Sequence, residues 1–194
     1  MGKIEIRFQE LTDLIPKFGQ HSSSAINTTA DALVKAFKSG NKVLICGNGG
    51  SAADSQHFAA EFVNSFSRDL DRRALPAIAL STDTSILTSI ANDFEFENIY
   101  SRQVEAYGVP GDVLIVLTTS GSSKNCLKAI DTANTMGLTT IAFTKEKGQA
   151  STRSQISIEV PSQNTQHIQE CHMLAYHVVT ELVEDDLFRK AISQ

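Results

Sequence analysis

The chain has 194 residues, of which 41% are hydrophobic and 20% charged, a composition typical of one globular domain with a sizeable core. The formal net charge of −5, without a basic cluster, argues against nucleic acid and anionic membranes as partners. The sequence has no apolar run of the ~20 residues that cross a membrane, no signal-peptide pattern at its start and three scattered cysteines, so we expect a cytoplasmic protein with reduced thiols.

Apolar residues at helical spacing precede the first predicted strand in two stretches. The first covers residues 4–18 and should break near Pro16, because proline lacks the N–H that an inner helical turn requires. The second covers residues 23–38 and is followed by Gly40, a typical C-cap residue. We therefore predict two N-terminal helices within residues 1–40, which pack on the sheet or pair with another subunit.

Residues 41–62, NKVLICGNGGSAADSQHFAAEF, predict a buried strand, a glycine-rich loop and a helix. The loop at 47–50 has little side-chain bulk, so its backbone can approach a ligand closely. Ser51 can cap the helix, and the free N–H groups there favour an anion or sugar oxygens. His57 and Glu61 are four residues apart and therefore share one helical face.

Strands and helices alternate through the rest of the chain. The sequence predicts strands at residues 76–80, 113–117, 139–143 and 155–160, and helices at 84–91, at 96–107, after 123 to about 136, and at 163–190, with residues 92–94 as a break. This alternation predicts an α/β fold, a three-layer α/β/α sandwich around a five-stranded parallel sheet. Ligands of such sheets bind beyond the carboxyl ends of the strands, where both polar loops of this chain lie.

The second polar loop, residues 118–123 with the sequence TTSGSS, has five hydroxyl groups in six residues just before a helix. Hydroxyl donors and free helical N–H groups together suit a phosphate group. A single serine is enough to cap a helix, so this number of hydroxyls favours phosphate binding over capping alone.

A dinucleotide site is the alternative interpretation of the glycine loop. Gly47, Gly49 and Ala52 form a variant of the G-x-G-x-x-G fingerprint, which is a weak signal by itself. The fingerprint needs an acidic residue about 20 positions later, whereas Asp83 follows Gly47 by 36 positions. A His/Glu pair on the following helix is also unusual for such a site, so NAD is disfavoured.

The last predicted helix contains Gln169 and His177 eight positions apart, about 12 Å along its axis. The two residues point to one broad side of the helix, and the sequence alone leaves open whether both reach one bound ion. The remaining histidines, His21, His167 and His172, are predicted to be surface or packing residues.

Several features of the sequence point to one family. They are the two polar loops, the His/Glu pair and the segments PAIAL, IANDFEF, GDVLIVLTTSGSS and HIQECHMLAYH. Together they resemble the sugar isomerase (SIS) domain family, and within it the phosphoheptose isomerases. The resemblance covers nearly the whole chain and implies a single SIS domain over residues 1–194 with a flavodoxin-like fold. It implies aldose–ketose isomerisation of D-sedoheptulose 7-phosphate to D-glycero-D-manno-heptose 7-phosphate through an enediol, for ADP-heptose and lipopolysaccharide core biosynthesis. It also implies a homotetramer with active sites at subunit interfaces.

The resemblance further implies roles for individual residues. One zinc ion per subunit would be held by His57, Glu61, Gln169 and His177, with Glu61 and His177 also acting as the acid/base pair. Glu61 and Gln169 would also contact the substrate. The residues that contact the sugar would be Asn48, Gly49, Gly50, Ser51, Asn92 and Asp93. Those that contact the phosphate would be Thr118, Thr119, Ser120 and Ser123.

The implied chemistry suits these residue types. Moving a proton between adjacent carbons needs a base, an acid for the oxygens and stabilisation of the enediolate charge. A carboxylate and an imidazole supply the first two, and zinc with N and O ligands supplies the third. A carboxylate that binds zinc loses basicity, which opposes the base role of Glu61.

Two positions depart from the family pattern, and one relative offers another function. Ser65 and Gln166 stand where the isomerases often have Arg and Asp, and Arg68 is the nearest arginine to Ser65 in sequence. The alternative function is that of a non-catalytic SIS adaptor that binds the bacterial replication initiator protein. That homologue lacks the catalytic Glu and the last His, so the presence of Glu61 and His177 favours an enzyme.

Overall fold

A computed structural model describes residues 2–189 of the chain. Its elements in chain order are α1 (Lys3–Lys38), β1 (Val43–Gly47), α2 (Gly50–Val63), β2 (Ala77–Ala79), α3 (Thr84–Asp93), α4 (Ser101–Tyr107), β3 (Val113–Thr118), α5 (Lys124–Thr135), β4 (Thr139–Lys145), α6 (Gln149–Arg153), β5 (Ile156–Val160) and α7 (Thr165–Glu184). A 3-10 turn at Phe96–Asn98 precedes α4, and a π-helical turn at Asp185–Arg189 follows α7. Among the described residues, no helix is both long enough and apolar enough to span a bilayer.

The five strands form one parallel sheet in the order β2-β1-β3-β4-β5, which confirms the predicted α/β fold. Every residue of β1 and β3 is buried, as expected for strands covered on both faces. The strand order reverses between β1 and β3, where Gly47 pairs with Leu117. The loops that follow these two strands therefore lie next to each other at the switch point, where ligands of such sheets bind.

Side chains alternate between the two faces of the sheet and form a separate core on each. Val43 and Ile45 of β1 pack on the face covered by α1, α2 and α7. Leu44 and Cys46 pack on the opposite face, against residues of α4 and α5. Both helices that contain the predicted zinc ligands, α2 and α7, therefore lie on the same face of the sheet.

The predicted break at Pro16 is wrong, because α1 continues through this residue as one helix. A proline inside a helix removes one backbone hydrogen bond and costs about 3 kcal/mol. The buried stripe from Leu14 and Phe18 to Leu33 and Phe37 offsets that cost by packing against the core on both sides of Pro16.

The C-cap prediction at Gly40 is confirmed. Gly40 has φ +79°, and the N–H of Asn41 donates to the carbonyl of Ala36 at 2.9 Å. This pairing is the Schellman arrangement that ends a helix at a left-handed residue.

Other boundaries differ from the predictions by a few residues. The helix before the predicted break at 92–94 is longer than expected, since α3 runs to Asp93. The predicted helix at 96–107 is divided into the 3-10 turn and α4. The short helix α6 was not predicted. The last α-helix ends at Glu184 and continues as the π-helical turn, while residue 190 lies outside the described part.

Candidate active site

Three of the predicted site residues converge where α2 packs beside α7. His57 Nε2 lies 2.8 Å from Glu61 Oε1, and the rings of His57 and His177 have centroids 5.2 Å apart. One potential ligand atom from each of His57, Glu61 and His177 lies within 4.8 Å of the other two. The side chains of His57 and Glu61 are 43% and 19% exposed, so a small molecule or ion can reach them.

Tyr176, which the sequence analysis missed, orients His57. Its ring is fully buried against Phe58, and its hydroxyl lies 2.9 Å from His57 Nδ1. Because Tyr176 engages Nδ1, the other ring nitrogen, Nε2, faces Glu61. No local pattern marks this tyrosine, because its partner is 119 positions away in sequence.

His177 lies between Phe66 and the two α2 residues of the cluster. The rings of His177 and Phe66 have centroids 5.5 Å apart. Burial and the neighbouring His57 lower the pKa of His177, although Glu61 opposes that shift. The imidazole is therefore neutral at neutral pH, the form that binds a metal or accepts a proton.

Gln169, eight residues before His177 on α7, lies beside the first turns of α2. Its Nε2 donates to Asp54 Oδ2 at 2.8 Å, and its amide rests on Gly50. A Cβ atom on Gly50 would stand only 2.6 Å from the amide atoms, so the close approach requires glycine. Asp54 was not predicted as a site residue.

The glycine loop is anchored to the start of α5. Asn48 and Asn125 exchange two amide hydrogen bonds, of 2.9 and 2.8 Å, across the switch point. The prediction that Ser51 caps α2 is wrong, because the N-cap is Gly49 and Ser51 lies in the first turn. Gly49 has φ +57°, which allows the chain to enter the helix before Ser51.

The hydroxyl-rich loop forms a compact group of acceptors and donors at the N-terminus of α5. The side-chain oxygens of Thr118, Ser120 and Ser123 lie 3.3–3.4 Å from one another. Ser123 is the N-cap residue, yet its side chain makes no capping hydrogen bond. The Ser123 hydroxyl instead faces the hydroxyls of Thr118 and Ser120. Thr119, the fourth residue predicted to bind phosphate, lies between Thr118 and Ser120 in sequence.

Asn92 and Asp93 are exposed at the end of α3. The contact that the structure shows for this pair is internal, from Asn92 Nδ2 to Asp93 Oδ1 at 2.8 Å. Their role in sugar binding stays a prediction.

The three remaining histidines are surface or packing residues, as predicted. His21 is exposed. His167 is bonded to Glu170 at 2.8 Å and Glu10 at 3.1 Å, contacts that raise its pKa. His172 is fully buried near Phe143, and burial lowers its pKa to about 4, so it stays neutral.

A buried ion pair connects the segment after α2 to the end of α7. Arg72 Nε lies 2.6 Å from Glu184 Oε1, and both side chains are fully buried. The same guanidinium donates to the backbone carbonyl of Glu61 at 2.7 Å. Ser65, which lies in this segment, donates its hydroxyl to the carbonyl of Ser67 at 2.9 Å.

This sheet, with polar loops at its switch point, is the arrangement of a SIS domain, and the family model described as SIS domain matches residues 8–145. Phosphoheptose isomerases from Clostridium acetobutylicum and Aquifex aeolicus are 47% and 48% identical to the chain over 186 residues. Each match covers 95% of this chain, and 93% and 96% of the respective relative. The chain belongs to the phosphoheptose isomerase family of SIS domain proteins.

Solved structures lead to the same result. The phosphoheptose isomerase structure from Neisseria gonorrhoeae superposes with a TM-score of 0.89 at 34% identity, covering 94% of this chain and 97% of that chain. The one from Francisella tularensis gives 0.90 at 35% identity over the same shares. The comparisons support an enzyme and lend no support to the adaptor alternative.

Proposed function

We propose that the protein is a phosphoheptose isomerase that converts D-sedoheptulose 7-phosphate to D-glycero-D-manno-heptose 7-phosphate, for ADP-heptose and lipopolysaccharide core biosynthesis. The observation that supports this most directly is the convergence of His57, Glu61 and His177 in a chain that matches phosphoheptose isomerases over 95% of its length. Turnover of D-sedoheptulose 7-phosphate by the purified protein tests the proposal, and a wild-type protein without turnover would contradict it.

In the proposed reaction the loop at 118–123 binds the phosphate, and the backbone of the glycine loop lies along the sugar. Glu61 removes a proton from C1 of the ketose, which gives the enediolate, and then returns this proton to C2. His177 transfers the hydroxyl proton of O1 to O2, so that C1 becomes the carbonyl carbon. Each step is a proton transfer between groups of the types that general acid–base catalysis uses.

We further propose one zinc ion per subunit, held by His57, Glu61, Gln169 and His177. The donor set fits, because zinc binds imidazole nitrogen and carboxylate oxygen in tetrahedral sites. Ligands about 2.1 Å from such an ion stand about 3.4 Å apart, and the three donor atoms already lie within 4.8 Å of one another. When bound, the ion would polarise the substrate oxygens and stabilise negative charge on them.

Zinc content provides a separate test of the metal proposal. We expect His57→Ala to lose most of its bound zinc, because one of the three clustered donors is removed. His21→Ala is the matched control, since His21 is exposed and outside the cluster. Metal analysis of the purified proteins measures the effect, and equal zinc content in wild type and His57→Ala would exclude His57 as a ligand.

The phosphate loop gives a prediction for substrate binding. A hydrogen bond to a charged group contributes about 1.5–3 kcal/mol, so Ser120→Ala or Ser123→Ala should raise KM about 10- to 100-fold. Ser122→Ala is the control within the same loop, because the three hydroxyls that contact one another are those of Thr118, Ser120 and Ser123. Equal KM values for all three variants in steady-state kinetics would remove the phosphate assignment.

We also propose that the protein is a cytoplasmic homotetramer with active sites at subunit interfaces. Ile4 and Phe8 on α1 are 75% and 73% exposed, which is unusual for large apolar side chains on one helix. An apolar groove of about 350 Å³ between α1 and α7 adds to this surface, with Phe18 and Leu174 among its lining residues. Both features suit contacts with further copies of the chain.

A further inference from the structure

Asp54 is a buried carboxylate for which the reaction described above has no use. It lies on α2, one turn before His57, and is only 4% exposed. Burial raises its pKa, while the hydrogen bond from Gln169 and the nearby His57 oppose the shift. A buried carboxylate is costly to keep unless a specific partner needs it.

The partner is the side-chain amide of Gln169. Asp54 Oδ2 accepts from Gln169 Nε2 at 2.8 Å. In this hydrogen bond the amide NH2 is the donor and the carboxyl oxygen the acceptor, so the amide turns its NH2 group to Asp54. The amide oxygen, Oε1, is then left without this partner and free for another.

Gly50 restricts the same amide from a second side. A Cβ atom built on Gly50 would be 2.6 Å from both Nε2 and Oε1 of Gln169. The amide therefore lies flat against the backbone at the start of α2, with little space to move sideways. Gly50 and Asp54 together define both the position and the orientation of the Gln169 amide.

From this geometry we propose that Asp54 is a positioning residue that fixes the amide of Gln169 so that Oε1, and not Nε2, serves as the zinc ligand. The inference rests on the proposed zinc site. An amide binds a cation only through its oxygen, so a flipped Gln169 would present donors to a positive ion. Outer partners of metal ligands act in this way, and their loss typically weakens metal affinity 10- to 100-fold.

The test is a double-mutant cycle on zinc affinity, measured by competition with a chelator. We expect Asp54→Ala to weaken zinc binding about 10- to 100-fold. In the Gln169→Ala background the same change should weaken it less than about threefold, because residues that act through one another are not additive. The cycle is repeated with Asp54→Asn, which keeps the side-chain volume and no longer dictates the amide orientation, in case the alanine variant fails to fold.

Ser55→Ala is the matched control, since Ser55 is buried, follows Asp54 in sequence and donates its hydroxyl to the carbonyl of Ser51. It should keep the zinc affinity of wild type. Wild-type affinity in the Asp54 variants, or an equal loss with and without Gln169, would overturn the role of Asp54. A wild-type protein that binds no zinc would reject the metal centre itself, and with it this inference.

Discussion

Replacing Glu61 by glutamine is expected to lower kcat for D-sedoheptulose 7-phosphate about 10²- to 10⁴-fold, the usual contribution of a general base. Glutamine keeps the size of the side chain and its contact with His57, which lies 2.8 Å away, but it cannot accept the substrate proton. The assay is run at saturating zinc with zinc content measured in parallel. This separates the loss of a base from the loss of a ligand.

His177→Gln should lower kcat by a similar factor, because His177 is the other member of the acid/base pair. The double variant should be little worse than either single variant, since residues that act as a unit are not additive. His21→Gln, an exposed histidine outside the cluster, controls for the removal of an imidazole. Full activity in both Glu61→Gln and His177→Gln would remove the catalytic assignment.

The sheet could be predicted because its strands differ locally from everything around them. The strand β3 contains the short apolar run VLIVL, in which three of five residues are β-branched, directly ahead of a polar loop. Its length, its β-branched residues and the loop that follows favour a strand over a buried helix. The continuity of α1 could not be predicted in the same way. Pro16 is a strong local signal for a break, and the packing that overrides it involves α7 and β5, which lie more than a hundred residues later.

The residues of the candidate site also fall into two kinds, those that local sequence reveals and those whose partners are distant in sequence. His57 and Glu61 could be found from their spacing, because four residues place two side chains on one face of a helix. The residues that orient the site could not, since their partners are distant in sequence: Tyr176 with His57 at 119 positions, and Asp54 with Gln169 at 115. Only the folded arrangement of α2 beside α7 shows these pairs.

The largest expected effect on stability comes from Glu184, which holds the segment after α2 in place. Its carboxylate accepts the N–H groups of Phe66 and Ser67, each at 3.0 Å, in addition to the bond from Arg72. Burial acts to raise the pKa of Glu184, but these hydrogen bonds outweigh it and the pKa is lowered. The side chain of Arg72 is fully buried, so its charge cannot turn to water if Glu184 is lost.

We therefore expect Glu184→Ala to reduce the free energy of unfolding by about 3–5 kcal/mol, because it leaves the buried charge of Arg72 unpaired. Asp131→Ala is the matched control. Its partner Arg153 lies at a similar distance, 2.7 Å, but both side chains are about half exposed, at 41% and 54%. Exposed pairs contribute about 0–1 kcal/mol, so urea titrations should separate the two variants clearly.

The pH dependence gives the same prediction a second measurement. A carboxyl group whose pKa is lower in the folded than in the unfolded protein contributes stability above the unfolded value and loses it as the pH falls through the folded value. The difference in unfolding free energy between wild type and Glu184→Gln should therefore be constant near neutral pH and shrink below the ordinary glutamate pKa of 4.5. A difference that grows on acidification, or a loss for Glu184→Ala no larger than that for Asp131→Ala, would contradict a stabilising charge at this position. Because Arg72 also holds the carbonyl of Glu61, a loss of this pair should loosen the end of α2 on which the proposed base is placed.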